Sequence, residues 1–123
     1  MVIRGRCPLV PSIPNISDHI EIVSVVDRFL EHPRVIIFDN AGKPKVYISS
    51  VDWMTRNFDH RIEVAIPISD PNIKQTIIDI TEFHFDDSNK ARVLNQSMSN
   101  PYIEAPANQL DYPTSQLATY YYI

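Results

Sequence analysis

The chain has 123 residues, a net charge of −4, and 44% hydrophobic against 21% charged side chains. These are ordinary values for one globular domain and exclude wholesale disorder. A single cysteine, Cys7, excludes an intrachain disulfide framework and a cysteine-built zinc site. No apolar run approaches the roughly 18 residues of a membrane span, and no charged-then-apolar segment opens the sequence, so the expected compartment is the cytoplasm.

The acidic average hides an asymmetry. Residues 1–61 hold eight basic against seven acidic side chains, whereas residues 62–123 hold three against eight. The overall balance argues against bulk binding to nucleic acid. Six of the seven arginines lie in the first half, and guanidinium forks suit phosphate and carboxylate, so an anionic ligand is expected there.

In chain order, Val2-Ile3-Arg4 reads as the end of a strand running into Gly5. Residues 8–18, with three prolines, read as an ordered loop. His19 to Val26 alternates like a strand, and Asp27 to Glu31 fits one helical turn. Arg34 to Asp39 and Lys45 to Ser50 form a hairpin around Asn40-Ala41-Gly42-Lys43. Residues 52–60 are irregular or briefly helical, and Arg61 to Ile68 alternates as a half-buried strand. Asp70 as N-cap, Pro71 in first position and Ile73, Ile77 and Ile80 at helical spacing predict a helix over 71–84. Ala91 to Leu94 is a short strand, 95–113 a long polar loop, and Leu117 to Ile123 a final helix. The order fits an α/β class, with α+β as the alternative. Residues 1–94 form the core, and 95–123 form the loop and last helix of the same domain.

Two glycines leave no room for a Gly-rich phosphate loop, and His19, His32, His60 and His84 lack metal-ligand spacing. One cluster carries chemistry. His32 and Arg34 flank Pro33 at the entry of a strand, so both side chains point to one face. Together they form a phosphate grip, and the imidazole could also move a proton. Arg4-Gly5-Arg6 and Ser49 to Asn57 follow other strands, while Arg61 and Glu63 share a face. Strand ends are where α/β folds gather sites. Asp52 reads equally as turn former or site acid, and Glu63 as a group orienting Arg61 or facing solvent. Cys7 reads as a buried small residue, Trp53 and Met54 as core or domain-contact residues, and Arg6 as a surface or interdomain charge. His19, His60 and His84 read as ordinary, and the Tyr120 to Tyr122 run as packing for the last helix.

In order and spacing, RGRCPLV (4–10), VVDRFLEHPR (25–34), VYISSVDWMTRN (46–57) and RIEV (61–64) resemble the C-terminal domain of bacterial polyphosphate kinases. The resemblance covers about residues 3–94 and implies a phospholipase D-like domain, a mixed β-sheet flanked by helices, with Arg34 in place of that fold's H-x-K lysine. It implies reversible transfer of the terminal phosphate of ATP to polyphosphate, with Mg2+. Arg4 and His32 match nucleotide-phosphate contacts, His32 in a catalytic role, and Arg61 matches an arginine of the same tunnel. The phosphorylated histidine and the magnesium-associated residues of the family belong to a preceding domain, so the isolated chain is expected to be inactive. Expected partners are ATP or ADP, polyphosphate, the remaining domains of the same polypeptide and further copies in a homo-oligomer. The enzyme is expected in the cytoplasm, with the peripheral inner-membrane association that some relatives show.

Two features depart from the family. Glu104 to Asp111 replaces a basic stretch, and Asp39 replaces the more usual Asn or Glu. The alternatives are half of a phospholipase D-type phosphodiesterase or nuclease, and a noncatalytic anion-binding domain. The phosphodiesterase expects a lysine and an asparagine where Arg34 and Asp52 stand.

Overall fold

The computed structural model describes residues 1–5, 7–104 and 113–123. The expectations for Arg6 and for residues 105–112 lie outside them. The elements in order are β1 (Val2–Ile3), β2 (Val23–Val25), β3 (Val35–Phe38), β4 (Lys45–Ser49), α1 (Thr55–His60), β5 (Ala65–Ile68), α2 (Pro71–Phe85), β6 (Ala91–Val93) and α3 (Ser115–Tyr122). The α/β class holds, with the strands divided between two three-stranded sheets, β1-β2-β6 and β3-β4-β5, where one mixed sheet was expected. The chain forms two compact units, Met1–Phe29 with Ile80–Ile123, and Leu30–Asp79.

In the first unit β1 runs parallel to β2 and β6 antiparallel to it. Val23, Val25 and Ala91 form its core, with Val2, Phe85 and Ile103 packed against them. Burying each larger side chain is worth about 1.5–3 kcal/mol. The fully buried Asp87 closes the turn after α2. Its Oδ1 accepts from the amides of Asn89 and Lys90 at 3.0 and 2.8 Å, and its Oδ2 accepts from Ser115 N–H at 2.7 Å. One carboxylate thus satisfies two amides of the turn and one orphan donor at the start of α3, whose dipole it favours.

Two expectations for this part of the chain shrink. The strand read over His19 to Val26 pairs only at Val23–Val25. Asp27 to Glu31 forms a bend and no helical turn, because its backbone groups have other partners. Arg28 N–H donates to Asp27 Oδ1 at 2.7 Å, and Phe29 N–H donates to Gln116 Oε1 at 3.0 Å. Cys7 is half-exposed, contrary to the buried position expected for it. The last helix starts two residues earlier than read, with Thr114 accepting from Leu117 N–H. It leaves Tyr120 and Tyr121 exposed at 76% and 77%, stacked edge-on at 5.3 Å, while Tyr122 packs edge-on against Phe83.

In the second unit β3 and β4 form the expected hairpin. Three successive left-handed residues, Asn40, Ala41 and Gly42, turn it, with φ of 51°, 55° and 77°. Asn40 side chain and backbone both bond Lys43 there. β4 pairs Val35 with Ile48 and Ile37 with Val46 on one side, and Ile66 and Ile68 on β5 continue the same two rows. Residues directly opposite share a face, so this face is wholly β-branched. Val46 on it is 1% exposed, yet Ile48 and Ile66 are 41% and 53% exposed.

The strand read from Arg61 begins only at Ala65. The side chain of Ser50 accepts from Val64 N–H at 3.0 Å, taking the place of a ladder bond. Asp70 caps α2 as the sequence implies, its Oδ1 accepting from the amides of Asn72 and Ile73 at 2.8 and 3.1 Å.

Candidate functional site

The second unit brings His32 and Arg34 together through Asp52. The ladder from Val35↔Ile48 extends one step, Ser49 N–H donating to the Arg34 carbonyl at 2.8 Å. Chain just beyond β4 therefore lies beside the entry of β3, and Asp52 falls within reach of both side chains. Arg34 Nε donates to Asp52 Oδ1 at 2.7 Å, and His32 Nε2 meets the same oxygen at 2.9 Å. Arg34 Nη2 lies 3.4 Å from His32 Nδ1. The imidazole is 63% exposed, whereas Arg34 and Asp52 are only 28% and 20% exposed. The grip is an open rim on a braced base.

The guanidinium of Arg34, and after it the imidazole of His32, hold the Asp52 carboxyl down to about 2, far below its ordinary range. The hydrogen bond to Asp52 in turn raises the Arg34 pKa, with Glu63 a smaller contributor. Asp52 is thus a pure acceptor at neutral pH, and one of its oxygens meets both members of the His32–Arg34 pair.

Glu63 anchors a second cluster. It accepts from Ser50 Oγ and, through Oε1, from the buried Asn57 Nδ2 at 2.8 Å. It therefore braces the loop between β4 and β5, a role outside both expectations for it. Asn57 Oδ1 is buried without a hydrogen-bond partner among the described residues. Beside these groups lies an open cavity of about 230 Å³, with Ser49, Val51, Asn57, Phe58, Arg61 and Glu63 among its walls. Arg61 itself is exposed. Trp53 and Met54 are 75% and 51% exposed and so lie outside the unit's core, Trp53 packing edge-on against Phe58 at 6.2 Å.

Arg4 belongs to the first unit. Its Nη1 donates to the Phe29 carbonyl at 2.7 Å, an oxygen that also accepts from Gln116 Nε2 at 2.8 Å. Of the three remaining histidines, His19 and His60 are exposed, and the buried His84 places Nδ1 at 2.9 Å from the Ile80 carbonyl oxygen. Sequence reasoning missed Gln116 and placed Asn57 in a candidate stretch without its bond to Glu63, because both partners lie across loops that no periodicity reveals. Asp52 had a usable signal in the hairpin register.

In chemical terms this is an α/β domain whose half-exposed His–Arg pair, held by a carboxylate, suits an oxyanion. Comparison with known proteins gives the family. The family model "Polyphosphate kinase C-terminal domain 2" matches residues 1–114, and the chain belongs to that family. It is 58% identical over its full length to polyphosphate kinase from Vibrio parahaemolyticus and 50% identical to that of Escherichia coli K12. It spans only 17% and 18% of those proteins, respectively. The crystal structure of polyphosphate kinase from Porphyromonas gingivalis matches 96% of the chain with a TM-score of 0.85 at 42% identity, over 18% of its own length.

Proposed function

We propose that this domain supplies a phosphate grip to a polyphosphate kinase, which moves the terminal phosphate of ATP reversibly onto polyphosphate. The observation that carries this reading is the pairing of His32 and Arg34 on a single Asp52 oxygen, in a chain of this family. Phosphoryl transfer passes through a loose transition state, so it needs positioning and charge neutralisation more than covalent chemistry. Arg34 spends Nε on Asp52 and turns Nη2 weakly toward His32 Nδ1, and its remaining Nη hydrogens serve phosphate oxygens. His32, on the exposed rim, handles the proton of the attacking or leaving oxygen. Arg61, on its cavity wall, adds a further guanidinium donor; the role of Arg4, which belongs to the first unit, rests on the family resemblance alone.

The residues here do not fit a magnesium centre. Asp52 Oδ1 is shared by two cationic or proton-bearing partners, and among the described residues no three His, Cys, Asp or Glu side chains gather to hold an ion. The magnesium that accompanies the nucleotide falls to residues outside this chain, as do most contacts to the base. A cytoplasmic location and a homo-oligomer of the whole polypeptide complete the proposal, and their support is the family resemblance alone.

The test is synthesis of polyphosphate from labelled ATP by the full-length enzyme. His32→Ala is expected to lower the rate by about 100-fold or more, and Arg34→Gln by about 100-fold. Wild-type rates in both variants would overturn the reading. Cleavage of phosphodiesters without any use of ATP would replace it with the phosphodiesterase alternative.

A further inference from the structure

We infer that Asp52 is the positioning residue of this site, locking the His32 ring so that Nδ1 is the nitrogen that works on phosphate. The inference rests on the phosphate-grip reading of His32 and Arg34. It follows from the roles that each neighbour can play. An ionised carboxylate only accepts, so the 2.9 Å contact requires His32 Nε2 to carry a hydrogen. A guanidinium only donates, so Arg34 Nη2 at 3.4 Å faces a lone pair on Nδ1 in the neutral ring. Both demands select the same tautomer, and the carboxylate orients the ring as second partners do in other imidazole sites.

The two contacts differ in strength. The bond at Nε2 is of normal length, whereas the approach at Nδ1 is long and weak. Nδ1 is therefore the nitrogen that a phosphate oxygen can claim without breaking the brace. In one direction the oxygen of a phosphate hydroxyl attacks the transferred phosphorus, a new P–O bond forming as the bond to the leaving group breaks, while Nδ1 takes the hydroxyl proton, forming N–H and breaking O–H. In the other, the imidazolium returns the proton from Nδ1 to the leaving oxygen. Nε2 keeps its hydrogen on Asp52 throughout. Arg34 is held by the same carboxylate oxygen.

A double-mutant cycle in the full-length enzyme tests this. Asp52→Ala is expected to lower kcat by about 10- to 100-fold while KM for ATP changes by less than about threefold. In a His32→Ala background the same substitution is expected to cost less than about twofold, because its effect runs through the ring. Asp52→Glu, which keeps the charge, is expected to recover part of the rate. Should Asp52→Ala fail to fold, Asp52→Asn carries the same cycle. Equal losses in both backgrounds, or a wild-type rate for the single variant, would overturn the inference while leaving the grip intact. Wild-type activity of His32→Ala would instead bring down the grip itself, and the inference with it.

Discussion

Phe29 and Gln116 exchange two hydrogen bonds across 87 residues of sequence. The amide of Phe29 donates to Gln116 Oε1 at 3.0 Å, and Gln116 Nε2 donates back to the Phe29 carbonyl at 2.8 Å. A side-chain amide here imitates a strand partner. It holds the segment three residues before His32 in a bend, and Arg4 adds a third bond to the same carbonyl. Gln116→Ala is expected to cost about 1 kcal/mol locally. Hydrogen exchange at residues 27–29 of the full-length protein should then speed up by about fivefold. Unchanged protection there would show that Arg4 alone holds the bend.

Asp87 is a case of higher stakes. It is fully buried and accepts from three backbone amides in two separate segments. Asp87→Ala strands those donors and is expected to destabilise the protein by about 2–4 kcal/mol. Asp87→Asn is expected to recover only part of this, since its NH2 must face one of the amides. Denaturant unfolding followed by hydrogen exchange in α3 checks both, and loss of α3 protection ahead of the rest is the expected pattern.

The Asp52 carboxyl offers a titration test. Its folded value of about 2 lies below the ordinary 3.8. The pairing therefore stabilises the protein above roughly pH 4, and that contribution is lost as pH falls through about 2. Arg34 is the larger cause, so Arg34→Gln is expected to move the Asp52 pKa up toward its ordinary value. His32→Ala is expected to move it less. Carboxyl 13C shifts across an acid titration of the labelled full-length protein read this directly, and a reversed order of the two effects would contradict the geometry.

The hairpin, the capped helix α2 and the final helix were legible because local signals fixed them: alternation, turn residues, and Asp70 ahead of Pro71. The nearness of His32 and Arg34 was legible from alternation along extended chain, although both residues come before the first paired residue of β3. What escaped reading was set by partners distant in sequence. The bend at Asp27 to Glu31 depends on Gln116, and the late start of β5 depends on Ser50 Oγ replacing a ladder bond. Asp52 was left between two readings because only the register of β3 with β4 brings it to His32. Cys7 failed for a simpler reason: a proline-bearing loop gave it no apolar layer to sink into.

The β3-β4-β5 sheet has a practical consequence. Its β-branched face leaves Ile48 and Ile66 partly exposed, Ile62 before it is 98% exposed, and among the described residues β3 and β5 each end the sheet with one side unpaired. Oily rows beside open edges invite another strand to add on. Produced by itself, this stretch of chain would tend to stick to its own kind, and concentration-dependent clumping is the behaviour a bench worker should prepare for.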